Sequence, residues 1–75
     1  MPYPVREPDF EALRIELGRQ RAARDWTYDE LAERSGVSRR TLIAMETGTT
    51  HGRLDSWFRI AQAFDLDLGE LLRKL

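Results

Sequence analysis

The sequence predicts an all-α chain of five short helices, and three observations predict it. Apolar residues recur at three- and four-residue spacing rather than in alternation. Good cap residues stand just ahead of those runs, at Thr27, Ser38 and Asp67. A serine-glycine break at Ser35-Gly36 joins two of the runs by a tight turn, which is the pattern of a helix-turn-helix.

Taken in order, residues 1–8 hold all three prolines and are expected to form an extended arm, a loose tail rather than part of the domain. The first helix should begin near Pro8-Asp9, with proline at or near its first position, and run to about Arg24 while burying Phe10, Leu13 and Leu17. Trp26 follows as a core residue of the turn. Thr27 is an N-cap with Glu30 three residues on, so a capping box should open the second helix at Tyr28. Leu31 and Ala32 give that helix an inward face. Gly36 ends it, because glycine enters the left-handed region without steric cost. Ser38 caps a third helix running to about Glu46 and stopping at Gly48. The fourth, near 54–64, stacks Leu54, Trp57, Ala61 and Phe64 on one face, with Phe58 and Ile60 at its edges. Asp67 and Glu70 form a second capping box that opens a fifth helix carrying Leu68, Leu71 and Leu72.

The third helix carries the functional argument. At 100° per residue, Val37, Thr41, Leu42 and Met45 fall on one side and should pack inward. Arg39, Arg40, Ile43 and Thr47 fall on the other, with Ala44 at its edge. A surface of two arginines, one aliphatic residue and small residues suits a DNA major groove, since a guanidinium fork matches guanine O6/N7 and an aliphatic side chain can touch a thymine methyl. A merely solvated face would explain an arginine pair elsewhere. Here the pair opens the second helix of the motif, where base-reading side chains sit.

Together these segments, WTYDELA, GVSRRTLIAMETG and WFRIAQAFDLDLGELL, resemble the lambda-repressor-like (Cro/repressor, Xre) family of helix-turn-helix regulators over roughly residues 10–75. The resemblance implies a compact five-helix domain whose second and third helices bind double-stranded DNA. It places Arg39, Arg40, Ile43 and Ala44 against bases. It brings Thr27, Tyr28, Ser38, Thr47 and the loop after Gly48, with His51 and Arg53, towards phosphates. Four positions depart from the family pattern. Tyr28 replaces a glutamine that supports a phosphate contact; its hydroxyl can donate to phosphate, and its ring can equally pack on a neighbour. Gln20 replaces a leucine and thins the core. Asp25 replaces a glycine, tolerable because aspartate visits the left-handed region more readily than most residues. Arg53 stands where a Ser/Thr cap is usual.

Seventy-five residues make one domain, too small for an added ligand-binding domain. With 41% hydrophobic and 33% charged residues the chain should be globular. It has no cysteine, hence no disulfide framework or thiolate metal site. No apolar run approaches membrane-spanning length and the N-terminus lacks a signal-peptide stretch, so the expectation is a cytoplasmic protein with no membrane partner. Its one histidine, His51, lies in a Thr/Gly loop without a carboxylate cluster, and no phosphate-binding glycine loop or zinc spacing occurs. No catalysis, metal or cofactor is expected. The net charge of −1 is unlike a basic DNA binder. Acidic residues gather at 7–11, 29–33 and 65–70, and basic ones at 19–24, 39–40 and 51–53, which implies a positive face on an acidic body. Modest monomer affinity then calls for pairing. A homodimer is expected through the fifth helix and the end of the fourth, at Leu71, Leu72 and Leu75, with Leu75 lacking an obvious partner within its own chain. The alternative is a protein-binding module with weak DNA binding, because Trp57, Phe58 and the C-terminal leucines supply more apolar surface than so small a domain needs.

Overall fold

The computed structural model describes residues 5–75, so the first four residues of the expected arm lie outside the described residues. Residues 5–9 have no regular secondary structure and are exposed. Five helices follow: α1 (Phe10–Ala23), α2 (Tyr28–Ser35), α3 (Arg39–Thr47), α4 (Leu54–Ala63) and α5 (Leu68–Leu72), with no strand among the described residues. The all-α expectation is met.

Local signals account for most of the boundaries. The Asp9 carboxylate accepts the Ala12 N–H at 3.0 Å, so Asp9 is the cap of α1 and Pro8 stands before the helix rather than at its first position. Thr27 Oγ1 accepts the Glu30 N–H at 3.1 Å and starts α2. The expected return contact from Glu30 is replaced: its carboxylate accepts from Arg34 Nε at 2.8 Å, a charged donor one turn on that outcompetes a neutral backbone N–H. In α5 the return contact is present, Glu70 Oε1 accepting the Asp67 N–H at 3.0 Å. Helices α1 and α4 end alike, through left-handed aspartates at Asp25 (φ 58°) and Asp65 (φ 60°). The tolerance expected of Asp25 is therefore used.

One core joins the five helices. α2 packs on α3 and α4, α1 on α3 and α5, and α4 on α5. Leu13 and Leu17 of α1, Leu31 of α2, Val37, Leu42 and Met45 of the α3 region, and Leu71 of α5 are buried. The inward stripe of α4 is Trp57, Ile60, Ala61 and Phe64, an i, i+3, i+4, i+7 set complete in itself. It shifts the expected face. Ile60 is fully buried rather than marginal, and Leu54, at the first helical position, is 67% exposed. Trp26 is only half-buried: it stacks on Phe64 (centroids 5.8 Å apart), and the exposed Arg34 guanidinium, 4.4 Å from its ring, covers it in place of the core.

Where Gln20 replaces leucine, polar side chains form a ladder instead of a thinned core. Gln20 Nε2 donates to Glu16 at 2.7 Å, and Arg24 Nη1 donates to Gln20 Oε1 at 2.7 Å. Arg24 Nη2 reaches the Phe64 carbonyl at 2.7 Å. Glu16, the buried acid of α1, has its pKa lowered chiefly by the Gln20 hydrogen bond, with the Arg19 charge assisting against the cost of burial.

Candidate nucleic-acid interface

The turn between α2 and α3 is built by short-range chemistry. Gly36 closes α2 in the left-handed conformation (φ 78°), Ser35 Oγ accepts the Val37 N–H at 3.1 Å, and Val37 anchors the turn in the core. Ser38 Oγ accepts the Thr41 N–H at 3.1 Å and donates to Thr41 Oγ1 at 2.9 Å, starting α3. Leu42 and Met45 are buried beneath that helix. Arg39, Arg40 and Thr47 are exposed on its outer side, with Ile43 and Ala44 half-buried between them. The four residues expected to meet bases therefore share one face.

The end of α3 is fixed to α1. Arg21 clamps the Glu46 carboxylate through Nη2–Oε1 at 2.9 Å and Nε–Oε2 at 3.2 Å, and also donates to the Trp26 carbonyl at 2.9 Å. This pair is largely buried, with side chains 21% and 13% exposed. The hydrogen bond to Glu46 raises the Arg21 pKa, so the guanidinium stays charged. Gly18 makes room: a Cβ there would lie 2.5 Å from Glu46 Oε1. The Arg21 guanidinium also lies 4.2 Å from the centre of the Tyr28 ring, and Tyr28 is half-buried. Burial, followed by the Glu46 carboxylate, raises the Tyr28 pKa, so its hydroxyl remains a proton donor. Of the two uses open to Tyr28, ring packing is realised here, and the hydroxyl stays protonated.

The flanking residues divide by how free they are. Thr27 is exposed and uses its hydroxyl oxygen as the α2 cap. Thr47 Oγ1 donates to the Ile43 carbonyl at 2.7 Å. Gly48 closes α3 at φ 86°, and the Thr49 N–H returns to the Ala44 carbonyl at 2.8 Å. His51 stacks flat on Phe10, centroids 3.6 Å apart and planes within 4°, while its carbonyl accepts from Trp57 Nε1 at 2.8 Å. Arg53 is exposed, 3.3 Å from Asp55, and heads α4 without a side-chain cap.

The positive face is narrower than the sequence implies. Arg21 and Arg24 are spent on internal hydrogen bonds, and Arg19 pairs with the buried Glu16 at 2.6 Å. The 19–24 cluster thus works mainly as internal fastening, leaving Arg39, Arg40, Arg53 and Arg59 as exposed arginines around α3, its turn and its loop. Sequence reasoning read Glu46 only as a helix-end motif residue and passed over Arg21 and Gly18. A glycine inside the first helix and an acid just before the Gly48 stop were the available signals.

At the C-terminus, Leu71 is 1% exposed and belongs to the monomer core. Leu72 and Leu75 are partly buried against that core, and the Leu75 carbonyl accepts the Asp9 N–H at 3.0 Å. Leu75 therefore has the intramolecular partner that the sequence did not reveal. No helix of the described residues is long and apolar enough to cross a membrane, and no cluster of three potential metal ligands occurs among them.

Comparison with known proteins agrees with this geometry. A helix-turn-helix family model matches residues 17–71. An uncharacterized HTH-type transcriptional regulator of Methanocaldococcus jannaschii is 34% identical over 59 residues, covering 79% of this chain and 89% of that protein. No solved structure matches. With the two capped helices, the left-handed glycine turn and the match over most of its length, the chain belongs to the Cro/repressor-type (Xre-like) helix-turn-helix family of DNA-binding regulators.

Proposed function

We propose that this chain binds specific duplex DNA as a small prokaryotic or phage-type transcriptional regulator, with α3 in the major groove. Arg39, Arg40, Ile43 and Ala44 meet base edges; Thr27, Tyr28, Ser38, Thr47, His51 and Arg53 flank the phosphates. The observation that carries this reading is the contrast between the two sides of α3. Its inner side is locked by Leu42, Met45 and the Arg21–Glu46 clamp, while its outer side shows two exposed arginines beside a half-buried aliphatic pair. A rigid helix with an exposed guanidinium face is what base reading requires. The hydroxyls of Ser38 and Thr47 already donate within the chain, so they would serve phosphate only by rotating.

Arg39→Ala or Arg40→Ala is expected to cost about 1–3 kcal/mol on a specific site, from loss of a bidentate guanine contact. The loss on mixed-sequence DNA should be much smaller, because phosphate contacts carry general affinity. Titration of both duplexes by electrophoretic shift, beginning with the chain's own upstream region, checks this. Equal losses on both would reduce the arginines to backbone contacts.

The chain is also proposed to act as a homodimer, since one such helix reads too few base pairs to specify a genomic address. Leu72 and Leu75, partly buried in the monomer, are the C-terminal residues still placed to contribute; Leu71 supports them from inside. Sedimentation at micromolar concentration should show a dimer that Leu72→Asp weakens. A monomer throughout, with operator affinity unchanged in Leu75→Asp, sinks the pairing. A second reading, docking of a protein partner, draws on Leu54 and Phe58, which lie one turn apart on α4 at 67% and 50% exposure.

A further inference from the structure

An acid sits on the face that would meet DNA. Asp29, in the first turn of α2 beside Tyr28, places Oδ1 3.2 Å from Arg39 Nε, although both side chains are largely exposed (81% and 59%). A carboxylate here opposes phosphate attraction, although the first turn of α2 favours an acid through the helix dipole. Its approach to Arg39 adds a second use. The closest approach is at Nε, the inner nitrogen of the guanidinium, as an ion pair without a hydrogen bond, and neither terminal amino group donates to another of the described residues. Those two groups form the end-on fork that matches guanine O6/N7. Arg40, next along the helix, takes part in no ion pair among the described residues. The two arginines are thus unequal: one is ion-paired to a neighbouring helix and the other is in no ion pair.

We infer that Asp29 is a positioning residue that aims Arg39 at a guanine, lowering affinity for DNA in general while sharpening the choice of one base. The inference rests on the reading of α3 as the base-contacting helix. An unrestrained arginine can reach many acceptors, phosphate oxygens included, and so binds every sequence about as well. Held from Nε by a helix-borne carboxylate, it has fewer alternatives, and a base that fails to offer two acceptors leaves it unsatisfied. In water the exposed pair is weak. Once the groove displaces water from between α2 and α3, the attraction between the two charges strengthens, so the restraint acts mainly in the complex.

The test uses the full chain as wild type, Asp29→Ala, Asp29→Glu, Arg39→Ala and the Asp29→Ala/Arg39→Ala double variant. Each is checked for folding by circular dichroism, then selected against duplexes with a randomised core and titrated on one mixed-sequence duplex. Asp29→Ala should bind the mixed-sequence duplex about two- to fivefold more tightly, having lost a repulsive charge. Its guanine preference at one position should fall by about tenfold, with other positions unchanged. Asp29→Glu should retain that preference, and the double variant should match Arg39→Ala in its base choice. An intact guanine preference in Asp29→Ala overturns the proposal while leaving the DNA reading standing. So does a further loss of preference in the Arg39→Ala background, which would mean that Asp29 touches a base itself. A folded wild-type chain that selects no sequence overturns the base-reading role of α3, and this inference with it.

Discussion

Trp57→Ala should remove about a quarter or more of this domain's stability. Truncating a buried tryptophan costs about 3–5 kcal/mol through lost burial and the cavity left behind. At about 0.05–0.15 kcal/mol per residue, a 75-residue chain has only some 4–11 kcal/mol in total. Trp57 is 4% exposed, and its indole also donates to the His51 carbonyl at 2.8 Å, so it ties the core to the loop after α3. The contact at that loop is close. Gly52 sits at φ 86°, and a Cβ there would lie 2.6 Å from Met45 Cε and 2.8 Å from Trp57 Nε1. Trp57→Phe keeps most of the apolar bulk and gives up the hydrogen bond, for which about 1 kcal/mol is expected in addition to a smaller packing loss. Urea unfolding followed by circular dichroism measures both. A loss below about 1 kcal/mol for Trp57→Ala would contradict the packing described, since large core truncations do not cost so little.

The parts legible in the sequence were those that depend on neighbours a few residues away. Thr27, Ser38, Gly36 and Gly48 each act through hydrogen bonds or backbone freedom within one turn, and the helices begin and end where these residues place them. The outer face of α3 was legible for the same reason: the buried Leu42 and Met45 and the exposed Arg39, Arg40 and Thr47 follow from one helical period, while Thr41, expected inward, is half-buried. What depends on distant partners was not. The inward stripe of α4 is set by where α2 and α5 lie, so Ile60 and Leu54 exchanged places relative to expectation. A run of arginines at 19–24 looks like a positive patch until Glu46 and the Phe64 carbonyl are brought to it from 25 and 40 residues away. Leu75 finds its backbone partner at Asp9, the other end of the described chain. Asp29 fell within an acidic cluster, and only its approach to Arg39 singles it out.

Glu46→Ala tests whether the distant clamp matters as much as the core. It leaves Arg21 charged and mostly buried with only the Trp26 carbonyl and the Tyr28 ring as partners, and removing one member of a buried pair costs about 3–5 kcal/mol. Because the Arg21 side chain keeps 21% exposure, water can reach it in part, and the lower end, about 3 kcal/mol, is expected. Glu46→Gln, which retains an acceptor but not the charge, should lose less. Gly18→Ala should act on the same pair without changing either member. Its Cβ would meet Glu46 Oε1 at 2.5 Å, so the carboxylate must shift away from Arg21, and the weakened clamp offsets the roughly 1 kcal/mol that alanine gains over glycine inside a helix. The instructive variant is the double substitution Arg21→Met with Glu46→Leu. Replacing both charges by apolar side chains removes the burial penalty together with the attraction, so most of the stability lost in Glu46→Ala should return. Operator affinity should not return with it, because the guanidinium that covers the Tyr28 ring is gone while α3 is merely repacked. Chemical denaturation and duplex titration on the same four proteins separate the two effects. If the double variant recovers stability and operator affinity together, the clamp is only a fastening. If stability returns alone, Arg21 and Glu46 set the orientation of Tyr28 and the end of α3 on DNA.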